Sequence, residues 1–461
     1  MSEPLSELAE LDRAWLVGGA VRDRLLGRES TDYDVAVVTD PARIARSLGQ
    51  SAGGHAFALS ESFGAWRVVA HDRRWQVDLI PLLGASVEED LAQRDLTINA
   101  IAEPLAGGDY VDPFGGLADL RSRRLRMVSP GAFERDPLRT VRVARLACEL
   151  GFEVDATTIE AARSAAPGLH RVAAERIFAE LKRVLVSERP VRGIEMLESV
   201  GATAVVLPEL LELRGVEQSH FHHLDVYDHT LDALARTVEL EGDLQPVFAD
   251  AAPAVRAVLE EPLADELTRG QALRFGALLH DIAKPQTRQV TPTGRVTFMG
   301  HDEAGAGTAV EILRRLRASE RLCEYVAGLT RNHLRLGFLV HEAPLPRRAV
   351  YRYLKACAPV EVEVTVLSVA DRLATGGTGA TVAIAGHLEL ARELMDEALA
   401  WRADPPRPPV RGDQLARELG IPRGPELGSL LQTLEEASFT GEISSPQDAI
   451  QLARLRLDGG G

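Results

Sequence analysis

The sequence predicts an α+β protein: an N-terminal region of alternating strands and helices, followed by a long all-α remainder. Three observations predict it. Residues 1–120 alternate short β-branched runs with helical stretches. From Phe133 onward strand-like runs nearly vanish, and Ala, Leu, Arg and Glu recur with a helical period. At 461 residues and 45% apolar side chains, the chain suffices for several domains with buried cores.

In chain order, Trp15–Val17 reads as the first strand, Gly18-Gly19 as a turn and Ala20–Leu26 as a helix. A second strand, Asp34–Val38, is entered through Asp32-Tyr33-Asp34, and a helix over Asp40–Leu48 follows. Trp66–Val69 and Gln76–Ile80 complete the predicted strands. The expected domains are the head at 1–130, a helical neck at 131–215, a histidine-rich helical domain at 216–400 and a helical tail at 401–461. The tail begins with a stiff proline-rich stretch, Ala403 to Pro409.

Charge and cysteine usage exclude several classes. The net charge of −16 argues against a protein that coats nucleic acid at large, while leaving a local RNA site open. Only Lys182, Lys284 and Lys355 are lysine, so an arginine counts here by its position and not by its type. Cys148, Cys323 and Cys357 are far apart and form no CxxC pair, which excludes a disulfide framework and fits a reducing cytoplasm. No apolar run approaches the ~18 residues of a membrane span. The acidic start Met1-Ser2-Glu3-Pro4 is unlike a secretory signal.

The chemistry-bearing residues begin at Gly18 and Gly19, whose lack of side chains lets a backbone approach a phosphate. Arg22, one turn into the helix, is placed to add a charge-assisted contact. Asp32 and Asp34 are i and i+2 on one strand, so their carboxylates point to one side. Two like charges so close call for a bridging cation, and Mg²⁺ prefers such hard oxygen ligands. Asp78, between apolar neighbours on a later strand, is a candidate third carboxylate.

Leu16-Val17-Gly18-Gly19-Ala20-Val21-Arg22-Asp23 followed by Asp32-x-Asp34 resembles the head of the class II tRNA nucleotidyltransferases. These are the CCA-adding enzymes and related poly(A) polymerases of the DNA polymerase β superfamily. Arg94-Asp95-Leu96-Thr97-Ile98-Asn99-Ala100, Asp112-Pro113-Phe114-Gly115-Gly116, Asp136-Pro137-Leu138-Arg139 and Glu175-Arg176-Ile177-Phe178 match further family blocks in order. The resemblance makes the N-terminal region a polymerase β-like head with a mixed sheet, one that transfers a nucleotide from CTP, and in some members ATP, to the tRNA 3′ end. It implies Mg²⁺ on Asp32 and Asp34 as catalytic carboxylates, and the strand pattern keeps Asp78 as the candidate third. Gly18, Gly19, Arg22 and Arg94 would hold the nucleotide.

Asp136 and Arg139 are expected on one face of a helix, reading the amine-plus-acceptor edge shared by cytosine and adenine. Arg139, Arg142 and Arg145 would form a basic stripe for phosphates. Two departures stand out. Arg135 replaces the family's acid before Asp136, and only Pro81 to Val87 occupy the place of a longer loop in most relatives. In the family that loop reshapes the pocket from C to A, and its shortening accompanies enzymes that add CC and stop. The expectation is therefore a CC-adding enzyme, against full CCA addition, poly(A) synthesis or a chiefly hydrolytic role.

Tyr227-Asp228-His229, Leu279-His280-Asp281 and Ala370-Asp371-Arg372 resemble the HD phosphohydrolase superfamily, with His301 and His333 between. The resemblance implies a divalent metal (Mn, Fe, Ni, Zn or Mg) on His229, His280, Asp281, His301, His333 and Asp371. His220, His222 and His223 read as a polar loop. Oligomeric state is left open by the sequence.

Overall fold

The computed structural model describes residues 3–11, 13–60, 64–218, 224–342, 344–376 and 380–458. The expected polar loop at His220, His222 and His223 lies outside them. The chain forms two compact units, Met1–Val206 and Leu207–Gly461.

The first unit opens with helix α1 (Glu3–Leu8), strand β1 (Ala14–Val17) and helix α2 (Gly19–Leu25). Strand β2 (Asp32–Val37) and helix α3 (Pro41–Ser51) follow, then β3 (Gly54–Ser60), β4 (Ala65–Ala70) and β5 (Gln76–Pro81). Helix α4 (Val87–Leu91), strand β6 (Ala102–Pro104) and helix α5 (Gly116–Ser122) complete the head. The sheet order is β3-β4-β5-β2-β1-β6. β2 pairs parallel with β5, and the remaining neighbours pair antiparallel. The sheet is therefore mixed, and β2, which carries Asp32 and Asp34, is an interior strand.

The interior of β2 reflects its sequence. Val35, Ala36 and Val37 are buried, while Asp32 is exposed and Asp34 half-buried at the strand's entry. β-branched residues suit a strand covered on both faces, and the acids stay where water can reach them. Asp40 caps α3 by accepting from Ala42 N.

After the head the unit is helical: α6 (Ala132–Arg135), α7 (Leu138–Leu150), α8 (Ala156–Ala165), α9 (Ala174–Val186) and α10 (Pro190–Ser199). α7 buries Val141, Ala144, Leu146 and Cys148 and packs on α9 and α10. The approach is close at Gly193, where a Cβ would strike Val184 Cγ1 and Cys148 Sγ.

One expectation fails here. Asp136 is not on a helix with Arg139: it has extended backbone (φ −143°, ψ 96°) between α6 and α7. The cause is Pro137, whose ring disfavours the α region for the residue before it.

Among the described residues, the regular structure of the second unit is helical apart from two-residue strands and one of three residues, Pro262–Ala264. Helices Val226–Gly242, Arg269–Leu279, His301–Arg315, Glu320–Asn332 and Glu361–Leu373 form its centre. The tail helices Gly412–Leu419, Pro425–Phe439 and Pro446–Asp458 share an apolar core of Leu415, Leu434, Ile443 and Ala449. Among the described residues no helix is long and apolar enough to cross a membrane.

Candidate functional site

Gly18 joins β1 to α2 with φ 73°, in the left-handed region that glycine alone enters freely. A Cβ there would lie 2.9 Å from Arg94 Nη1 and 3.2 Å from Asp34 Oδ2. The turn, the strand acid and the arginine therefore meet at one point. Around that point opens a cavity of about 360 Å³ lined by Gly18, Gly19, Asp32, Asp34 and six arginines: 22, 94, 139, 142, 145 and 183. Burial raises the Asp34 carboxyl above the usual carboxylate range, Arg94 opposes this, and Asp78 adds to it. A cation bridging Asp32 and Asp34 would relieve that cost, and two carboxylates beside a phosphate-sized opening fit Mg²⁺.

Most of the arginines are held by acceptors of the protein itself. Arg22 forks onto Asp23 and donates to Asn99 Oδ1 at 2.7 Å. Arg94 pairs with Asp90 at 3.2 Å. Arg142 lies 3.3 Å from Asp95 Oδ2 and 3.5 Å from Glu180 Oε1. Arg145 pairs with Glu180 at 2.5 Å and Glu149 at 2.9 Å, and Arg183 also reaches Glu149. The result is a chain of alternating charges from Asp95 to Arg183 along one wall. Arg139 differs: its guanidinium donates to the carbonyls of Ala132 at 3.0 Å and Gln93 at 2.8 Å. Its charge meets no carboxylate oxygen within ion-pair distance among the described residues.

The sequence reading placed Arg22, Arg94, Arg139, Arg142 and Arg145 at this site, and the fold brings them together. Asp136 and Asp78 do not line the cavity. Asp136 accepts from Arg176 at 3.0 Å and from Leu138 N at 3.3 Å. Asp78 has both oxygens taken by Arg67 at 2.7 Å. Asp95, Asn99, Glu180 and Arg183 were missed as cavity residues or their supports. Glu180 had a signal, a buried acid inside an amphipathic helix, whereas Arg183 had none. Arg135 bonds Ser129 Oγ at 3.1 Å and so serves the local turn.

The six histidine-region residues also converge. His229 Nε2 is 2.9 Å from Asp371 Oδ1, and His280 Nε2 is 3.1 Å from Asp281 Oδ2. His301 Nε2 and His333 Nε2 lie 3.3 and 3.7 Å from Asp281 Oδ1. His229, His280 and Asp371 form one possible ligand set, and Asp281, His301 and His333 a second. All but Asp371 are buried.

Three of the rings are aimed by a backbone carbonyl three residues earlier in the chain. The Nδ1 of His280, His301 and His333 lies 2.8, 2.7 and 2.6 Å from the carbonyls of Ala277, Phe298 and Thr330. A carbonyl only accepts, so Nδ1 carries the proton and Nε2 presents its lone pair to the centre. These Nε2 atoms and Asp281 Oδ1 are buried without a hydrogen-bond partner among the described residues. Burial lowers the His333 ring to about 4, which keeps it neutral. Burial would raise the Asp281 carboxyl, but His280 and Lys284, 2.6 Å away, hold it well below its usual range. Lone pairs and a carboxylate facing one another in a dry centre fit a divalent cation.

A head on a mixed sheet, with a glycine turn against paired acids, joined to a helical unit with an H…HD…D cluster, defines a nucleotidyltransferase of the poly(A) polymerase-head class. The poly(A) polymerase head-domain family model matches residues 14–126. A model described as the probable RNA and SrmB-binding site of polymerase A matches 151–213, and the HD-domain model matches 226–376. An A-adding tRNA nucleotidyltransferase of Deinococcus radiodurans is 37% identical, over 95% of this chain and 94% of its own. A CC-adding tRNA nucleotidyltransferase of Thermus thermophilus is 36% identical, over 95% and 92%. A multifunctional CCA protein of Halorhodospira halophila is 37% identical over 69% of this chain and 72% of its own. A solved CCA-adding enzyme shares the fold at TM-score 0.64 and 19% identity, covering 97% of this chain and 91% of that one. The chain belongs to the tRNA nucleotidyltransferase family.

Proposed function

We propose that the chain adds C to the 3′ end of tRNA from CTP and stops before the terminal A. The observation that carries the transfer reaction is the meeting of Asp32, Asp34 and the Gly18 turn inside an arginine-lined cavity. Asp32 and Asp34 would hold Mg²⁺, which lowers the pKa of the attacking hydroxyl and offsets charge on the leaving pyrophosphate. The backbone at Gly18 and Gly19 admits the triphosphate closely. Arg94 and Arg139 present guanidinium charge to it, and Arg142 and Arg145 extend the wall that guides it. The tRNA partner is supported by the family and by the complex of a Thermotoga maritima CCA-adding enzyme with tRNA, which shares the fold at TM-score 0.60 and 18% identity over 96% of this chain and 91% of that one.

Restriction to C rests on the short connection after β5. It is folded down on α4: Leu83 N donates to Asp90 Oδ1 at 3.2 Å and Ala85 N to Glu89 Oε2 at 2.8 Å. Ser86 caps α4 by accepting from Glu89 N. A segment tied this way supports a pocket with one setting. A second reading is favoured by the Deinococcus relative: addition of A alone onto tRNA that ends in CC. Incubation of the protein with tRNA lacking its 3′ end, and with tRNA ending in CC, against CTP and ATP singly and together separates them. Two C residues and no A are expected. A added only to the CC end supports the second reading, and both steps on one tRNA overturn both.

For the second unit we propose a divalent-metal centre that hydrolyses phosphate esters or cyclic phosphates at RNA ends. Its opening is at Asp371, whose side chain is 22% exposed while His229 and Asp281 are at 1%. The three cysteines are free and buried, which supports a reducing cytoplasm. The division into head, neck, HD domain and tail at 130, 215 and 400 is kept as the functional reading of the chain.

A further inference from the structure

Three side chains stand in a row across three strands of the head. Asp34 on β2 is the register partner of Asp78 on β5, and Asp78 is the register partner of Arg67 on β4. Partners in register share a sheet face, so the row reads carboxylate, carboxylate, guanidinium. Arg67 Nε donates to Asp78 Oδ1 and Nη2 to Asp78 Oδ2, each at 2.7 Å. This is a planar fork on a planar carboxylate, the strongest form of the pair. Asp78 is 13% exposed and Arg67 28% exposed, so the pair is partly withdrawn from water. Asp32 and Asp34 line the cavity, whereas Asp78 does not.

The charges explain why such a fork belongs there. Three carboxylates on adjoining positions would repel one another strongly in a half-dry site. Arg67 neutralises one of them directly, which leaves Asp32 and Asp34 facing the cavity for cation binding. We propose that Arg67 is a positioning residue that withholds Asp78 from the cation and so fixes the transfer centre as a two-carboxylate site. The inference rests on the reading of Asp32 and Asp34 as the cation pair. It also changes what is expected of Asp78: the residue shapes the charge of the site through Arg67 and does not ligate.

The test is Mn²⁺ binding to the full chain, followed by electron paramagnetic resonance with α,β-methylene-CTP present. The head component is the part that Asp34→Asn removes. Asp78→Asn is expected to move its Kd by less than about threefold, because no ligand is lost. Arg67→Gln frees Asp78 and is expected to tighten the Kd about fivefold or more, as an extra carboxylate reaches the ion. The double variant Arg67→Gln/Asp78→Asn returns it to within about threefold of the unaltered chain. Should Arg67→Gln fail to fold, Arg67→Lys keeps the charge but breaks the fork, and a smaller tightening is expected. Weakening of about tenfold in Asp78→Asn, or no tightening in the Arg67 variants, overturns the proposal. If Asp34→Asn leaves Mn²⁺ binding untouched, the two-acid cation site itself is wrong, which is a separate failure with a separate signature.

Discussion

The head cavity and the histidine cluster solve one problem at two depths. Both gather acidic oxygens around a place for a cation. In the head, Asp32 is exposed, Asp34 half-buried, and the surrounding wall is arginine. In the second unit, His280 is fully buried and Asp281 and His333 are 1% exposed. The difference teaches that depth sets the size of the guest. An open, cationic cavity admits a triphosphate and a polynucleotide end, whose charge the arginines offset. A dry cluster admits an ion and at most a small group beside it. Depth also sets how each site is held. The head relies on ion pairs between side chains, and the cluster on hydrogen bonds from three of its rings to backbone carbonyls three residues earlier.

The comparison breaks most sharply under crossed substitutions. Asp34→Asn is expected to lower nucleotide addition by about 10³-fold or more, since a lost cation contact costs about 4 kcal/mol in the transition state. Metal content of the second unit, read by inductively coupled plasma mass spectrometry, should stay as it was. Asp281→Asn should strip that metal and lower the thermal midpoint while addition continues. If either substitution abolishes both readouts, the two sites are not separate. Next in size is Glu180→Ala, which leaves Arg142 and Arg145 facing each other over a lost carboxylate. Removing one partner of a buried pair is expected to cost about 3 kcal/mol of unfolding free energy, measured by urea titration. An effect as small as that of an exposed pair would show that the alternating-charge wall is surface decoration.

Asp90→Asn sharpens the same point at the other wall. Asp90 is 4% exposed and holds both Leu83 N and Arg94. Losing the charge-assisted bond to Arg94 should raise KM for CTP about tenfold with kcat less affected. A change confined to kcat would mean that Arg94 acts only in the transition state. The smallest effect is expected from Ser86→Ala, which removes the α4 cap and should cost about 1 kcal/mol in stability. Incorporation of A by this variant onto a CC end would show that the cap also governs nucleotide choice.

The sequence disclosed these sites unequally, for physical reasons. The strand, glycine turn and helix of the head were legible because Trp15–Val17 and Ala20–Leu26 carry clear local patterns. The acids of β2 were legible because i and i+2 share a face whatever the rest of the sheet does. All six histidine-cluster residues were legible from their blocks, although His229 and Asp371 are 142 positions apart. What stayed hidden was pairing between elements. β3 and β6 were missed: Gly54–Ser60 is an exposed edge strand without strong alternation, and Ala102–Pro104 is too short to show any. The Arg67–Asp78 fork depends on the register of β4 against β5, which no local pattern encodes. The spacing of Asp136 to Arg139 is helical, but the proline between them keeps Asp136 extended, a local veto that spacing alone does not show.

The carbonyl bonds of His280, His301 and His333 carry one more consequence. With its Nδ1 hydrogen committed to the preceding turn, none of these imidazoles can flip or swing without abandoning a bond in a dry interior. The chelating shape is thus set when the helices assemble, before any ion arrives. Uptake then requires little rearrangement, and choice among cations falls to charge, radius and coordination number, a rigid gauge against which each candidate ion is tried.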